Sequence, residues 1–252
     1  MRILLLGDIV GSPGRRAVAR FLRDGGWDLV VANGENASGG IGITPGVADD
    51  LFSSGVRILT SGNHIWAHRE ILEYIGGPAC RLLRPANMPP GNPGRGFAVL
   101  EVCGLSVMVL NLQGRVFIGD SDCPFRTADR ILDSNPADVV LVDFHAEATS
   151  EKEALGRYLD GRVALFAGTH THVQTADMRV LPKGTVYVTD LGMCGSTLGV
   201  IGVRYEEVRE RFLTGRPSRL TVAEGLEAVC GIEVELDGAG KPVSQRMVNE
   251  RV

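Results

Sequence analysis

The residues Arg2-Ile-Leu-Leu-Leu-Gly-Asp8 decide the fold. The apolar run from Ile3 to Leu6 predicts a β-strand, and Asp8 stands at its end. A helix is predicted directly afterwards over Ser12–Arg23, because Pro13 suits the first turn of a helix that a serine caps. A strand followed by a helix is the repeating unit of α/β proteins. The chain therefore opens as an α/β fold with a carboxylate at the end of its first strand.

The same unit recurs along the chain. Further strands are predicted at Asp28–Ala32, Val56–Thr60, Val139–Asp143, Val163–Ala167 and Thr185–Asp190. Helices are predicted after a Thr44 cap with Pro45 at the first position, at Ala67–Tyr74 and at Ser150–Leu159. Strands separated by helices favour parallel pairing in a sheet.

Antiparallel pairs interrupt this rhythm. Phe97–Val102 and Leu105–Leu110 flank Cys103-Gly104 and predict a hairpin, and Ala228–Glu235 with Val243–Asn249 predict a closing pair. We therefore expect one domain over residues 1–252, an α/β fold arranged as a four-layer α/β/β/α sandwich with mixed sheets. A three-layer α/β sandwich is the alternative.

Composition limits the classes of partner. The formal net charge is −4, and Lys and Arg are scattered, so no basic stripe could hold a long nucleic acid by electrostatics. No apolar stretch approaches the ~20 residues that span a bilayer, which predicts a cytoplasmic protein without a membrane partner. The 5 cysteines are odd in number and never form C-x-x-C, which argues against disulfides and a cysteine zinc site.

Polar side chains that bind metals follow the predicted strands. The five segments are Gly7-Asp8, Asn33-Gly34-Glu35-Asn36, Gly62-Asn63-His64, Phe144-His145 and Gly168-Thr169-His170-Thr171-His172. In open α/β sheets, ligands bind outside the carboxyl ends of the strands, so these segments can converge on one point. Four of the 5 histidines fall in them, and His68 is the exception. Together the segments indicate a two-metal hydrolase.

Each segment also has a structural interpretation. Asn63 could cap a helix that starts near Trp66, and Asn33–Asn36 could form a turn. His145 could be a core histidine with satisfied hydrogen bonds, and His170 and His172 could bond loop carbonyls. His64 and His68 have the spacing of H-E-x-x-H zinc proteases, but Ile65 stands where the glutamate should be, which excludes that class.

Taken together, the five segments resemble calcineurin-like metallophosphoesterases over nearly the whole chain. Gly-Asp-Ile-Val-Gly near the N-terminus, Asn-Gly-Glu-Asn-Ala and Ser-Gly-Asn-His resemble the bacterial YmdB-like branch of that superfamily. The chain departs from the wider superfamily at two positions. Val10 stands where D-x-H would place a histidine, and Glu35 stands where a bridging aspartate is usual. Asn36 is then expected to replace the missing histidine.

The resemblance implies two divalent or trivalent transition metal ions per chain. One would be bound by Asp8, Glu35, Asn36 and His172, and the other by Glu35, Asn63, His145 and His170. Glu35 would bridge them. Imidazole, carboxylate and amide ligands without a thiolate suit iron, manganese or zinc, and we favour iron or manganese.

The resemblance also implies a phosphodiesterase, with 2′,3′-cyclic nucleotides as the expected small substrates. The expected mechanism is attack by a hydroxide shared between the metals, with His64 as the general acid that protonates the leaving oxygen. Trp66 and Phe117 could stack on a base or pack in the core. Alternatives are a phosphomonoesterase, or a regulatory protein that binds a phosphorylated ligand or RNA and uses the metal site as a sensor. A homo-oligomer is expected.

Overall fold

Twelve strands and six α-helices make up the computed structural model, which describes all 252 residues. The strands are β1 (Arg2–Val10), β2 (Leu29–Asn36), β3 (Ile58–Thr60), β4 (Phe97–Val102), β5 (Leu105–Gln113), β6 (Val139–His145), β7 (Leu165–Thr169), β8 (Arg179–Val180), β9 (Val186–Val188), β10 (Met193–Ser196), β11 (Glu227–Leu236) and β12 (Pro242–Arg251). The helices are α1 (Gly11–Phe21), α2 (Pro45–Ser53), α3 (Ile71–Ile75), α4 (Pro124–Ser134), α5 (Thr149–Tyr158) and α6 (Tyr205–Thr214), and a 3₁₀ turn spans Leu22–Asp24.

The strands form two six-stranded sheets. The first has the order β12-β11-β10-β1-β2-β3 and the second β4-β5-β6-β7-β9-β8. Strands β10, β1, β2 and β3 run parallel, as do β5, β6, β7 and β9. Strands β11, β12, β4 and β8 pair antiparallel at the edges. Both sheets are mixed, as the sequence predicted.

Three apolar cores separate four layers. Alternate residues of β1 divide between two of these cores, because successive side chains of a strand point to opposite faces. Ile3 and Leu5 face the second sheet, whereas Leu4 and Leu6 face α1 and α2. The third core lies between the second sheet and helices α4 and α5. The predicted α/β/β/α sandwich is therefore confirmed, and the three-layer alternative is wrong.

Irregular pairing turns Asp8 toward the space between the sheets. The register between β1 and β2 shifts on both sides of Asp8. Such a bulge re-aims a side chain. Ile9 packs in the outer core, while the Asp8 carboxylate approaches His145 of the second sheet. The Asp8 carboxylate, a side chain of the kind that binds metals, therefore lies between the two sheets.

Several predicted boundaries were wrong. Strands β1, β2 and β6 continue through Asp8, Asn36 and His145, so backbone pairing persists although the side chains become polar. Helix α3 begins at Ile71 rather than Ala67, because residues 63–70 form turns and bends. The Thr44 cap of α2 is confirmed, since its hydroxyl accepts a hydrogen bond from the Val47 N–H at 3.4 Å. None of the helices is long and apolar enough to cross a bilayer.

Candidate metal centre

The carboxyl ends of the central strands of both sheets meet at one edge of the sandwich. The polar residues that gather there are Asp8, Glu35, Asn36, Asn63, His64, His145, His170 and His172. The turn interpretation of Asn33–Asn36 is wrong, because these residues belong to β2. Asn63 does not cap a helix, because it precedes the start of α3 by eight residues. His68 bonds the carbonyl of Ile41 instead.

One group of ligands surrounds the Nε2 atom of His145. This nitrogen lies 3.0 Å from Glu35 Oε1, 3.2 Å from Asn63 Oδ1 and 3.0 Å from His170 Nδ1. A ring nitrogen carries one proton or one lone pair and cannot satisfy three such neighbours. Ligands about 2.1 Å from one metal ion lie about 3 to 3.4 Å apart in octahedral or tetrahedral geometry. The four side chains have the spacing of ligands around a common cation.

A second group consists of Asp8, Asn36 and His172. His172 Nε2 is 3.8 Å from Asp8 Oδ1 and 3.1 Å from the amide nitrogen of Asn36. The carboxamide oxygen of Asn36 faces His64 Nδ1 at 3.2 Å instead. A half-turn of this amide exchanges its oxygen and nitrogen. Metal binding through the Asn36 oxygen beside His172 therefore requires the exchanged orientation.

Two buried carboxylate oxygens indicate that the centre suits cations. Asp8 Oδ1 and Glu35 Oε1 are buried and receive no hydrogen bond. His64 Nδ1 and His145 Nε2 lie 3.1 and 3.0 Å from Glu35 Oε1 without the geometry of a hydrogen bond. A buried carboxylate oxygen without a donor is costly unless a cation compensates it. Glu35, His145 and His170 also offer ligand atoms within 4.8 Å of one another. The donor set fits transition metal ions.

The charged groups of the centre shift one another's pKa values. Burial raises the pKa of Asp8, and the imidazoles of His172 and His145 oppose this effect. For Glu35, burial would raise the pKa, but His145 and His64 outweigh it and lower the pKa. Burial would lower the pKa of His145, but Glu35 and Asp8 raise it to about 9. The carboxylates therefore favour positive charge at His145, as they would favour a cation.

The loop after β7 presents His170 and His172 in a rare backbone conformation. Their φ angles are 100° and 64°, in the region that side chains disfavour. The His170 N–H donates to Asp8 Oδ2 at 3.0 Å, and His172 Nδ1 contacts the carbonyl of Ile201 at 2.9 Å. Burial and the neighbouring His145 lower the pKa of His170 to about 3, which leaves a neutral imidazole. Neutral imidazole is the form that binds metals.

Gly62 permits the close approach of two candidate ligands. A Cβ atom at this position would lie 2.0 Å from His145 Cδ2 and 2.3 Å from Glu35 Oε2. Any side chain here would displace both residues. Only glycine fits at this position of the Ser-Gly-Asn-His string, because the centre packs directly against its backbone.

Asp143 bonds residues that surround the centre, a role that the sequence analysis did not predict. Its carboxylate accepts hydrogen bonds from Thr60, from Thr169 at 2.7 Å and from Asn33 at 3.0 Å. His145 Nδ1 lies 3.0 Å from the Thr169 hydroxyl, which fixes the orientation of the ring. Burial raises the pKa of Asp143 to about 6. The signal that could have found it is alternation, because residues 143 and 145 of one strand share a face.

Two acidic residues near His170 were also missed. Glu147 Oε2 lies 3.1 Å from His170 Nε2, so the nitrogen opposite Nδ1 has a carboxylate partner. Asp190 accepts from the Thr171 N–H at 3.1 Å and from the buried Lys152 ammonium at 2.7 Å. No sequence signal connects these residues, because they are far apart along the chain.

His64 lies at the mouth of the centre. Its side chain is 37% exposed, and its Nδ1 lies 3.1 Å from Glu35 Oε1 and 3.2 Å from Asn36 Oδ1. Its backbone N–H donates to Glu35 Oε2 at 3.2 Å. These ring contacts involve Nδ1 alone, so Nε2 is free to meet a ligand. Trp66, considered as a stacking residue, packs against the core beneath the first sheet.

The two-sheet sandwich, with Asp, Asn, Glu and His side chains gathered at its strand ends, is a metallophosphoesterase-like structure. The chain belongs to the YmdB-like protein family, whose sequence model matches residues 4–247. The chain is 44% identical over 247 residues to a 2′,3′-cyclic-nucleotide 2′-phosphodiesterase from Bacillus subtilis, covering 96% of this chain and 93% of that protein.

Solved structures agree with this assignment. The crystal structure of a hypothetical protein from Thermus thermophilus matches with a TM-score of 0.95 and 44% identity, covering 100% of this chain and 99% of that one. That of a novel phosphatase from Mycoplasma pneumoniae matches with a TM-score of 0.93 and 31% identity, covering 100% and 93%. The resemblance drawn from the sequence is thereby confirmed.

Proposed function

We propose that this chain is a metal-dependent phosphodiesterase that hydrolyses small phosphodiesters, with 2′,3′-cyclic nucleotides as substrates. The observation that carries the proposal is the convergence of carboxylate, amide and imidazole ligands around two buried oxygens that lack hydrogen bonds. Similarity to the Bacillus subtilis phosphodiesterase over nearly the full chain supports the reaction class. The formal charge of −4 suits a small substrate better than a long nucleic acid.

The centre would hold two transition metal ions. Asp8, Asn36 and His172 would bind one, Asn63, His145 and His170 the other, and Glu35 would bridge them. Such ions, when bound, acidify water and neutralise charge on a phosphoryl group. Iron or manganese is favoured and zinc also suits the donor set. The cytoplasmic location and the homo-oligomer stay predictions, which fractionation and sedimentation would test.

His64 would supply the proton that the leaving oxygen needs. The Nδ1 side of its ring is held between Glu35 and Asn36, so Nε2 points away from both. A partly exposed imidazole can exchange its proton with water between turnovers. We therefore assign His64 as the general acid and the other seven residues as metal ligands.

Metal analysis combined with a substrate panel tests the proposed function. We expect purified protein to retain close to two transition metal ions per chain and to hydrolyse 2′,3′-cyclic AMP and bis-p-nitrophenyl phosphate. Chelation should abolish both activities, and manganese or iron should restore them. Faster hydrolysis of p-nitrophenyl phosphate than of either diester would favour a phosphomonoesterase. Tight binding without turnover after reconstitution would favour the regulatory alternative.

The His64→Ala variant should separate catalysis from metal binding. We expect kcat on 2′,3′-cyclic AMP to fall by about 10²- to 10⁴-fold, the usual contribution of a general acid. The metal content should stay unchanged, because the ring contacts the ligands without being one. The matched control is His68→Ala, whose ring bonds a loop carbonyl outside the centre. Undiminished turnover in His64→Ala would remove this residue from the mechanism.

A further inference from the structure

The segment that follows β5 leaves the sheet directly beside the metal centre. Gln113, its last strand residue, pairs in parallel register with His145 of β6. The next residue, Gly114, donates its N–H to the carbonyl of His145 at 2.9 Å. Residues 113–117 therefore form a wall that starts at a candidate metal ligand and runs outward. None of these residues has a role in the proposed binding of metals.

Gln113 places an unsatisfied polar atom on the face that bears the centre. Asn111, two residues earlier on the same face, bonds both backbone polar groups of Ser61, the residue that follows β3 of the first sheet. Gln113 therefore also points between the sheets. It is 3% exposed, and its Oε1 atom is buried with no hydrogen-bond partner. A buried amide oxygen without a donor requires an explanation, and a donor on a bound ligand fits its position on this face.

Phe117 presents an aromatic ring at the outer end of this wall. The residue is 90% exposed and has a φ angle of 63°, a conformation that is strained for a bulky side chain. The carboxylate of Glu151 holds the strained segment, because it accepts the N–H groups of Arg115 at 3.1 Å and Val116 at 3.2 Å. Strain that the surroundings maintain is characteristic of functional sites.

Gly114 packs tightly at the start of this segment. A Cβ atom at this residue would lie 2.6 Å from both Ala146 Cβ and Glu151 Oε2. Gly114 is thereby tied to the residue that follows His145 and to the carboxylate that holds the segment. Three residues span at most about 10 Å, so Phe117 lies within the reach of a nucleoside whose phosphate is at the centre.

We propose that Gln113 and Phe117 bind the nucleoside part of the substrate. Phe117 stacks on the base, and Gln113 Oε1 accepts a hydrogen bond from the free ribose hydroxyl of a 2′,3′-cyclic nucleotide. This inference rests on the proposed phosphodiesterase activity and names the part of the substrate that the chain recognises. Stacking on a single aromatic ring accepts every base. We therefore predict a preference for cyclic phosphodiesters that carry a nucleoside, without selection among the bases.

Two cyclic phosphodiesters separate recognition from chemistry. One is 2′,3′-cyclic AMP, and the other is ethylene phosphate, which has the same five-membered ring but neither base nor hydroxyl. In Phe117→Ala we expect KM for 2′,3′-cyclic AMP to rise about tenfold, the size of one stacking contact. The kcat/KM for ethylene phosphate should not change. Phe117→Trp should restore the wild-type KM.

Matched variants complete the test. Phe212→Ala removes a similarly exposed phenylalanine, 84% accessible on α6, and should leave the hydrolysis of both substrates unaffected. Gln113→Leu should lower kcat/KM for 2′,3′-cyclic AMP by about fivefold, the loss of one neutral hydrogen bond, and spare ethylene phosphate. If Gln113→Leu fails to fold, the Phe117 variants decide alone.

Two results with an active enzyme would overturn the inference, and a binding measurement supplies a third if the wild type is inactive. Phe117→Ala could match wild type on both substrates, or it could lose activity equally on both, which would indicate a structural role. If wild type hydrolyses neither substrate, the proposed function fails. Calorimetric binding of 2′,3′-cyclic AMP to manganese-loaded protein then decides. Weaker binding by Phe117→Ala would keep the recognition site, and equal binding would remove it.

Discussion

The Glu35→Gln variant is expected to lose about 1,000-fold or more in diesterase activity. Replacing the carboxylate removes the negative charge that would bridge two cations, and metal-ion stabilisation of a transition state is worth several kcal/mol, at about 1.4 kcal/mol for each factor of ten. Metal content should fall from about two ions per chain to one or none. Elemental analysis and hydrolysis of 2′,3′-cyclic AMP measure both effects.

Two variants control this result. Glu35→Asp keeps a carboxylate on a shorter side chain and should retain more metal and more activity than Glu35→Gln. Glu101→Gln removes an exposed carboxylate of β4 and should change neither. The Glu35→Gln variant should also fold, because its amide oxygen can accept the hydrogen bond that the His64 backbone N–H donates to Oε2 in the wild type. A folded Glu35→Gln protein with full metal content and full activity would contradict the bridging role.

Local patterns in the sequence were sufficient for much of this site. Apolar strands leading to Asp8, Glu35 and His145 predict both the sheets and the side chains at their ends, because parallel strands bring their carboxyl ends to one edge. The registers confirm this for β1, β2, β6 and β7. The eight predicted residues meet, and their assignment as ligands or general acid stays a prediction for the experiments above.

Other features depend on contacts between residues that are far apart along the chain. Asp143 lies within an apolar strand, and its role becomes visible only when Asn33, Thr60 and Thr169 are brought to it. Phe117 has a positive φ angle, and the carboxylate of Glu151, distant along the chain, accepts the N–H groups of the two residues before it. Helix α6 was missed as well, and it buries none of its residues, so the apolar face that usually reveals a helix has no core to match.

The Lys152→Met variant is expected to be strongly destabilised. Lys152 and Asp190 are an ion pair with both side chains at most 1% exposed and a separation of 2.7 Å. Removing one partner of such a pair costs about 3 to 5 kcal/mol, because the other charge stays buried. At about 2 to 4 °C for each kcal/mol in a chain of this size, the midpoint of thermal unfolding should fall by roughly 10 °C.

The Lys152→Met/Asp190→Asn double variant tests the cause. If the penalty comes from an uncompensated charge, the double variant should unfold at a higher temperature than Lys152→Met, and Lys241→Met, which alters an exposed lysine, should match wild type. A Lys152→Met midpoint equal to that of Lys241→Met would refute the argument.

The same pair should influence the metal centre through the loop after β7. Asp190 accepts both the N–H and the hydroxyl of Thr171, which lies between the candidate ligands His170 and His172. In Lys152→Met, Asp190 loses the Lys152 hydrogen bond that fixes its carboxylate, so the carboxylate positions this loop less firmly. We therefore expect faster loss of manganese to a chelator at a temperature where the variant is still folded. Equal rates in the variant and in wild type would show that the ion pair stabilises the fold without positioning the ligands.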